Sequence, residues 1–160
     1  MYRLHVGQWS FPQHPGQPSE AAPPGSIASL NTHDTATFAG WWNGADIADK
    51  VDLGLATDDE VRRERAERAV VKQIILDQAP DLPLPDVERA MIGVTTELAA
   101  GPAEVVLVSL DDLALESVPH NVPGTTHERP NWQRRVIGWA TALDDSSPTI
   151  AAVAAARPPR

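Results

Sequence analysis

The sequence predicts an α/β fold whose strands form a parallel sheet. Two stretches with strand character open the chain, stretches with helical periodicity fill its middle, and a continuously apolar strand candidate follows them. Strands that alternate with helices are typical of proteins in which helices cover a mostly parallel sheet. The 160 residues suit one domain, without internal repeat, and we expect no separate second domain within residues 1–160.

The strands at the start of the chain are short. Residues 2–9, "YRLHVGQW", alternate roughly between apolar and polar side chains and predict the first strand. Residues 12–25 are rich in proline and glycine and predict a loop. Residues 26–31, "SIASLN", predict a second strand of small side chains, which ends at Thr32-His33-Asp34.

Helical patterns fill the middle of the chain. Residues 46–55 predict a short helix or turn closed by Gly54. Thr57 and Glu60 have the spacing of a capping box, which predicts the start of a long helix that ends near Pro80. We expect the apolar side of this helix to consist of Val61, Ala66, Ala69, Val70, Ile74 and Ile75. Residues 84–101 predict another helix, with Val87, Met91, Val94 and Leu98 at helical spacing.

The clearest strand candidate comes after these helices. Residues 103–110, "AEVVLVSL", are apolar and β-branched, as expected of a parallel strand buried on both faces. A long polar loop follows, and a helix is predicted to begin near Pro130-Asn131-Trp132. Ser147 and Pro148 predict the N-cap and first position of a last helix, and "RPPR" predicts a frayed tail.

Composition excludes several classes of function. The chain has no cysteine, so it forms neither disulfides nor thiolate metal sites. Its net charge of −9 with only two lysines argues against a surface for nucleic acid or for an anionic membrane, and plain solubility accounts for the acidity. No segment approaches the roughly 18 apolar residues of a membrane span, and no signal pattern opens the chain. We therefore expect a cytoplasmic protein.

The segment "NTHDTATFAGWW", residues 31–42, is the best candidate for a binding site. It places His33 and Asp34 behind a predicted strand, among hydroxyl side chains and just before the Trp41-Trp42 pair. Carboxylates and amides bind sugar hydroxyls, and an indole covers the apolar face of a sugar ring. The alternative is that Asp34 caps the turn that follows it.

A second polar segment is "NVPGTTHERPNW", residues 121–132. Its turn residues and prolines are typical of a structured loop, so its spacing alone favours a structural role. His33, His120 and His127 have no metal-ligand spacing, so we expect no metal. No nucleophile elbow and no glycine-rich nucleotide loop is present.

The segments "SIASLNTHDTATFAGWW" and "NVPGTTHERPNWQRR" strongly resemble two segments of the 4-α-glucanotransferases (amylomaltases) of the α-amylase clan. The resemblance covers nearly the whole chain. It implies a (β/α)8 TIM barrel, of which residues 1–160 would form the C-terminal part, about the last three strands with their loops. A whole barrel takes about 250 residues, which agrees with a partial chain.

The resemblance also implies roles for individual residues. Asp34 matches the third catalytic carboxylate, which holds the distorted sugar and supports the oxocarbenium-like transition state, and His33 matches the substrate-binding histidine beside it. Thr32 and Asn121 match positions expected to contact the glucan. Trp41, Trp42 and Trp132 are weaker candidates, since these indoles also suit packing at the barrel rim.

Two departures from the family pattern are Ala36, where proline is expected, and Gln133, where arginine is expected. The nucleophile and the acid/base of a retaining mechanism lie on earlier barrel strands in the family, which predicts that this chain is a fragment that is inactive when isolated.

The leading hypothesis is transfer of α-1,4-glucan segments to an acceptor sugar without a cofactor, with glucans and maltooligosaccharides as partners. A non-catalytic remnant, a maltooligosaccharide-binding module and a structural domain remain alternatives.

Overall fold

The structure is a computed structural model, and it describes residues 3–14, 17, 19–135 and 148–157. Three parallel strands form one sheet in the order β1-β2-β3, comprising β1 (Arg3–Val6), β2 (Ser26–Ser29) and β3 (Val105–Leu107). The central strand aligns Ile27 with Leu4 on one side and with Val105 on the other. The parallel sheet with its helices confirms the α/β class, whereas the placement of these strands in a barrel stays a prediction.

Helices follow each of the last two strands. They are α1 (Phe38–Asn43), α2 (Ala45–Asp52), α3 (Asp58–Gln78), α4 (Asp86–Ala100), α5 (Leu110–Leu113) and α6 (Pro148–Ala156). The sequence patterns did not predict α1. It is separated from α2 by Gly44, whose φ of 78° lies in the left-handed region that glycine adopts without strain. None of the described helices is long and apolar enough to cross a membrane.

The first strand is shorter than predicted. After Val6 the backbone turns into a 3-10 helix, Gly7–Ser10, although Gln8 N–H still donates to the Leu30 carbonyl at 2.9 Å. This turn carries Trp9 away from the sheet and into solvent. Tyr2, the predicted first residue of the strand, lies outside the described residues.

The prediction of a long, doubly buried third strand is wrong. β3 spans only Val105–Leu107, and the Leu107 side chain is 50% exposed. In the described part of the chain β3 pairs with β2 alone, so its apolar side chains have no second neighbouring strand. The strand ends before Ser109, whose Oγ accepts a hydrogen bond from Asp111 N–H and begins α5.

The capping box at the start of α3 is confirmed. The Thr57 side chain accepts from Glu60 N–H, and the Glu60 carboxylate accepts from Thr57 N–H at 2.8 Å. The hydrogen bond from Thr57 N–H, helped by one from the Thr57 hydroxyl, holds the pKa of Glu60 below its usual range. The helix ends at Gln78, two residues before Pro80, as predicted.

The predicted apolar side of α3 is partly wrong. Its buried residues are Val61, Val71, Ile74 and Ile75, whereas Ala66, Ala69 and Val70 are exposed. The inward face passes through Arg68, whose guanidinium pairs with Asp46 and Glu64 and is largely removed from solvent. The sequence prediction counted only apolar residues. It therefore missed Arg68 and placed the buried face of the helix at the wrong residues.

The remaining helices agree better with the sequence patterns. Met91 and Val94 of α4 lie in the core, which joins α1, α3 and α4, and Gly101 follows the helix end. The described chain shows a turn and then irregular backbone at residues 131–135, so no helix begins at Pro130-Asn131-Trp132. The last helix begins at Pro148 as predicted. Its predicted N-cap, Ser147, and residues 158–160 lie outside the described residues.

Candidate functional site

Two loops meet at the carboxyl end of the sheet. One follows β2 and carries His33 and Asp34, and the other follows β3 and α5 and carries Asn121. Because β2 and β3 are parallel neighbours, their carboxyl ends open on the same edge of the sheet, where ligands bind in open α/β folds. Asn121 Nδ2 donates to Asp34 Oδ1 at 2.7 Å, so two predicted site residues are in direct contact.

The segment from Thr32 to Thr35 is a tight turn held by its own hydroxyls. Thr32 Oγ1 accepts from Asp34 N–H at 3.2 Å, and Thr35 Oγ1 accepts from Thr32 N–H at 2.9 Å. The Thr35 hydroxyl also donates to the Thr32 carbonyl at 3.0 Å. The Thr32 hydroxyl therefore shapes the turn that presents Asp34, and its predicted contact with a ligand stays a prediction.

The carboxylate of Asp34 faces solvent rather than the backbone. Its side chain is 53% exposed, and His33 Nε2 lies 3.3 Å from its Oδ2. The helix that follows is capped instead by Thr37, whose Oγ1 accepts from Gly40 N–H at 3.0 Å. Thr37 rather than Asp34 therefore caps α1, and one side of the Asp34 carboxylate is open to a ligand.

Trp132 lies beside His33 at this edge. Its indole is 61% exposed, its ring centroid lies 5.2 Å from that of His33, and it stacks on His120 at 6.3 Å with an interplanar angle of 13°. Trp132 has a φ of 62°, an unusual value for a tryptophan, and its N–H donates to the His120 carbonyl at 2.9 Å. An exposed indole held in this way presents a flat apolar surface beside His33.

The Trp41-Trp42 pair is divided between two environments. Trp41 is half-buried and lines the cleft beside Asp34, with the Arg68 guanidinium 5.1 Å from its ring centroid. Trp42 is 7% exposed, packs on Phe38 in the core, and has the Lys72 ammonium over its ring. Both indole rings lie against Phe38, at 5.9 and 5.8 Å between centroids, but only Trp41 also lines the cleft. The structure therefore does not bring Trp42 to the site.

A cleft of about 420 Å³ opens beside Asp34. Its lining includes Gln8, Trp9, Asp34, Trp41, Leu55 and Asn121. Trp9 is 74% exposed, and the sequence patterns assigned it only to a strand. The signal was present, because an indole at the end of a parallel strand lies at the ligand edge of the sheet.

The loop that carries Asn121 is well ordered by its own side chains, as its turn residues predicted. Asn131 Oδ1 accepts from Val122 N–H at 3.0 Å, and Glu128 accepts from Thr126 N–H at 2.8 Å. That backbone hydrogen bond is the largest cause that lowers the pKa of Glu128. Further along the loop, Arg129 donates to Asp49 and Asp52 of α2.

The carboxylates of Asp49 and Asp52 raise the pKa of Arg129, and they link the loop that carries Asn121 to helix α2 on the far wall of the cleft. The hydrogen bonds of Arg129 measure 2.8 Å to Asp49 and 2.6 Å to Asp52. Asp49 itself lines the cleft, so the ion pair joins the loop and helix that face each other there.

Below the exposed residues lies a carboxylate that sequence reasoning missed. Asp112 of α5 is 2% exposed and accepts from Asn31 Nδ2 at 2.8 Å and from Phe38 N–H at 2.8 Å. Burial raises its pKa to about 6, although the hydrogen bonds from Phe38 and Asn31 oppose that shift. A pair of aspartates after a strand reads as solvated surface, so the pattern gave no signal of burial.

The neighbouring Asp111 binds a different set of groups. Its Oδ1 accepts from Arg134 at 2.7 Å, and its Oδ2 lies 3.2 Å from His120 Nε2. Arg134 also lies 3.3 Å from the Glu116 carboxylate. Throughout the described ranges no three histidine, aspartate or glutamate side chains form a group suited to a metal ion.

Residues 1–140 match the family model described as 4-alpha-glucanotransferase. The chain is 31% identical over 119 residues to a 4-alpha-glucanotransferase of Mycobacterium tuberculosis and 23% identical over 128 residues to one of Haemophilus influenzae. These matches cover 70% and 71% of this chain but 16% and 18% of the relatives. The chain thus spans about a sixth of the length of the curated relatives it matches.

The fold is similar to that of the crystal structure of amylomaltase from Corynebacterium glutamicum, with a TM-score of 0.69 at 20% identity. The similarity covers 96% of this chain and 25% of that one. At this identity the similarity concerns the fold alone, and it extends over nearly the whole of this chain.

Proposed function

The chain belongs to the 4-alpha-glucanotransferase family, and we propose that it forms part of the active site of an enzyme that transfers α-1,4-glucan segments to an acceptor sugar. The observation that carries the proposal is the contact between Asp34 and Asn121 at the mouth of a cleft lined by indoles. An ionised carboxylate, an amide and flat apolar rings are the groups that bind a sugar on its hydroxyls and on its ring face.

In the proposed mechanism Asp34 is the carboxylate that stabilises the transition state. Cleavage of a glycosidic bond develops positive charge on the sugar ring, and a fixed negative charge beside the ring lowers the barrier. Asn121 occupies Oδ1 of Asp34 from one side and fixes the plane of the carboxylate, and Oδ2, which lies 3.3 Å from His33 Nε2, is the oxygen proposed to accept from a sugar hydroxyl. His33, next to Oδ2, supplies a donor for the same sugar.

The proposed mechanism retains the configuration at the anomeric carbon. Such a mechanism requires a nucleophilic carboxylate and an acid/base carboxylate about 5–5.5 Å apart. We propose that other strands of a (β/α)8 barrel supply both, and that β1, β2 and β3 are neighbouring strands of that barrel. The position of both loops at the carboxyl ends of parallel strands supports this arrangement, since barrel active sites lie at that end.

The indoles account for binding of the glucan chain. Trp41 lines the cleft, Trp9 stands exposed at its rim, and Trp132 flanks His33 on the side of the second loop. Each can cover the apolar face of one glucose ring. The proposed substrates are therefore maltooligosaccharides and longer α-1,4-glucans.

The test uses the protein as the cell makes it, incubated with maltotriose. Transfer produces glucose together with maltooligosaccharides longer than the substrate, both measured by chromatography. Glucose without longer products would indicate hydrolysis and would contradict transfer.

Absence of any product would contradict the catalytic proposal. It would leave a maltooligosaccharide-binding role without catalysis as the second candidate, favoured by the indoles that line the cleft. Calorimetry with maltoheptaose tests that candidate, and no heat of binding at millimolar ligand would remove it.

A further inference from the structure

The two hydrogen bonds of Asp112 lie at the two ends of one loop. Asn31 is the second residue after β2, and Phe38 is the first residue of α1, so Asp112 is bonded on either side of residues 32–37. We call residues 32–37 the Asp34 loop. Asn31 Nδ2 lies 2.8 Å from each carboxylate oxygen of Asp112, and Phe38 N–H donates to Oδ1. The ends of the Asp34 loop are thus held by a single side chain from another strand's loop.

Stability alone does not account for a carboxylate at this place. Burial of a charged group costs several kcal/mol, and an apolar side chain of similar size is often neutral or stabilising where it replaces a buried charge. The same burial raises the pKa of Asp112 to about 6. The carboxylate is therefore ionised at neutral pH although its buried surroundings favour the protonated form. What the carboxylate provides is direction, because each of its oxygens accepts a hydrogen bond along a defined line.

The neighbouring side chain points to the other loop. Asp111 binds His120, the residue before Asn121, and it binds Arg134 beyond Trp132. Two adjacent residues of α5 therefore hold the two loops whose tips meet at the contact between Asp34 and Asn121. The relative position of those tips depends on α5.

We propose that Asp112 is a positioning residue, which sets the orientation of the Asp34 carboxylate by holding Asn31 and Phe38 at the ends of the Asp34 loop. This inference rests on the proposed function of Asp34. A misplacement of about 1 Å at a reacting group can cost about 10²-fold in rate, so an indirect contact of this kind has a measurable effect on turnover.

The experiment exchanges the two partners. Asp112→Asn replaces one of the two oxygens that face Asn31 Nδ2 with an amide nitrogen, and Asn31→Asp sets two carboxylates against each other, so each single substitution weakens the pairing. The double substitution Asn31→Asp/Asp112→Asn restores one carboxylate and one amide with their places reversed, and the oxygen at position 112 still accepts from Phe38 N–H. A double-mutant cycle of this design measures the coupling between positions 31 and 112.

The expected result is a fall in kcat for maltotriose of about 10- to 100-fold in each single variant, with KM changed less than about threefold. The double variant is expected to recover at least about tenfold of the lost kcat. A merely structural role predicts no such recovery. Single variants that keep kcat within about twofold of the unaltered protein would overturn the proposal.

Ile74→Val in α3 is the matched control. Ile74 is buried but lies outside the core cluster that contains Phe38, so the variant lowers stability without touching the Asp34 loop. All variants are assayed at the same interval below their own Tm. If Ile74→Val lowers kcat as much as Asp112→Asn does, the effect is one of general stability and the proposal is wrong.

A second measurement does not depend on turnover. The side-chain amide of Asn121 donates to Asp34, so its NMR resonance, seen after selective labelling of asparagine, reports the contact between the two loops. Asp112→Asn is expected to shift this resonance and Ile74→Val to leave it in place. An unmoved resonance would overturn the inference, whereas absence of transfer in the unaltered protein would contradict only the proposed function.

Discussion

Two hydrogen bonds between an asparagine and an aspartate join the same two segments of the chain, and they lie in opposite surroundings. Asn31 donates to Asp112 at 2.8 Å in the core, and Asn121 donates to Asp34 at 2.7 Å at the surface. In the buried pair the carboxylate follows β3, and in the exposed pair it follows β2. Both pairs join an amide to a carboxylate at nearly the same distance, and they differ most in their exposure to solvent.

Solvent changes what each carboxylate does. The buried Asp112 gives up hydration and gains fixed directions for its partners, which suits a group that holds other groups in place. The exposed Asp34 keeps access to ligand, and a hydrogen bond at the surface adds little net stability because water competes for both partners. We call Asn31 and Asp112 the inner pair and Asn121 and Asp34 the outer pair. The comparison assigns stability and position to the inner pair and chemistry to the outer pair.

The largest effect is expected from Asp34→Asn. This substitution removes the negative charge and keeps the shape, so turnover of maltotriose is expected to fall by about 10²- to 10³-fold. Because the side chain is exposed, the free energy of unfolding is expected to change by less than about 0.5 kcal/mol. Initial rates of transfer and a denaturant titration measure the two quantities on one preparation. Near-normal turnover would break the comparison at its outer pair.

The next effect concerns the inner pair and pH. The folded-state pKa of Asp112 is about 6, above its ordinary value, because burial disfavours the charged form. Its contribution to stability is therefore fully present below pH ~4 and is lost as pH rises through about 6, an amount of about 3 kcal/mol. Asp112→Asn does not titrate in this range.

The measurement is the free energy of unfolding of both proteins from pH 4 to pH 7.5. The unaltered protein is expected to lose about 3 kcal/mol relative to Asp112→Asn across that range. Taking the difference between the two proteins cancels the titration of Asp34 and of the other carboxylates that both share. A difference that stays constant with pH would mean that Asp112 is not desolvated, and the contrast between the pairs would disappear.

A smaller effect is expected from Gly40→Ala, which would displace the backbone that leads to Asn121 of the outer pair. A Cβ on Gly40 would lie 2.5 Å from the Ser117 carbonyl oxygen, so the segment leading to Asn121 must move. We expect a loss of about 1–3 kcal/mol from this overpacking and a weaker contact between Asn121 and Asp34.

Gly93→Ala in α4 is the control, since its nearest new contact is 3.2 Å and lies away from the cleft. Equal changes in turnover for the two glycine variants would show that the approach of Ser117 to α1 does not govern the site.

The sequence analysis identified the exposed pair of Asp34 and Asn121 and missed the buried pair of Asn31 and Asp112. Asp34 follows a predicted strand in a polar segment, whereas Asn121 was assigned to the glucan site only through the family resemblance, since the spacing of its own segment favoured a structural role. Asp111 and Asp112 look solvated in the sequence, yet the structure buries both, and only the packing of α5 shows that Asp112 is the one bound to Asn31. Local patterns report the exposure of a helix face but not which charged residue the fold encloses.

The same limit explains two further errors. Trp41 and Trp42 were predicted together because they are adjacent, yet both pack on the core and only Trp41 also lines the cleft. Val70 was placed in the apolar face of α3, and it is exposed because the inward face turns through Arg68 and Val71 instead. In both cases the residue type indicated an apolar or aromatic contact. The direction in which the side chain points depends on how the helix is rotated, and ion pairs and packing determine that rotation.

The difference between two asparagine substitutions provides the finest test of the comparison, and the smaller of its two effects is the smallest that we predict. Asn31→Ala leaves the buried Asp112 carboxylate short of a donor, and we expect a loss of about 1–3 kcal/mol at pH 7.5. Asn121→Ala frees the exposed Asp34 carboxylate to bind water, so we expect a loss below about 0.5 kcal/mol. The same amide is removed in both variants, so the difference in their unfolding free energies measures the surroundings alone. Equal losses would mean that solvent does not separate the two pairs.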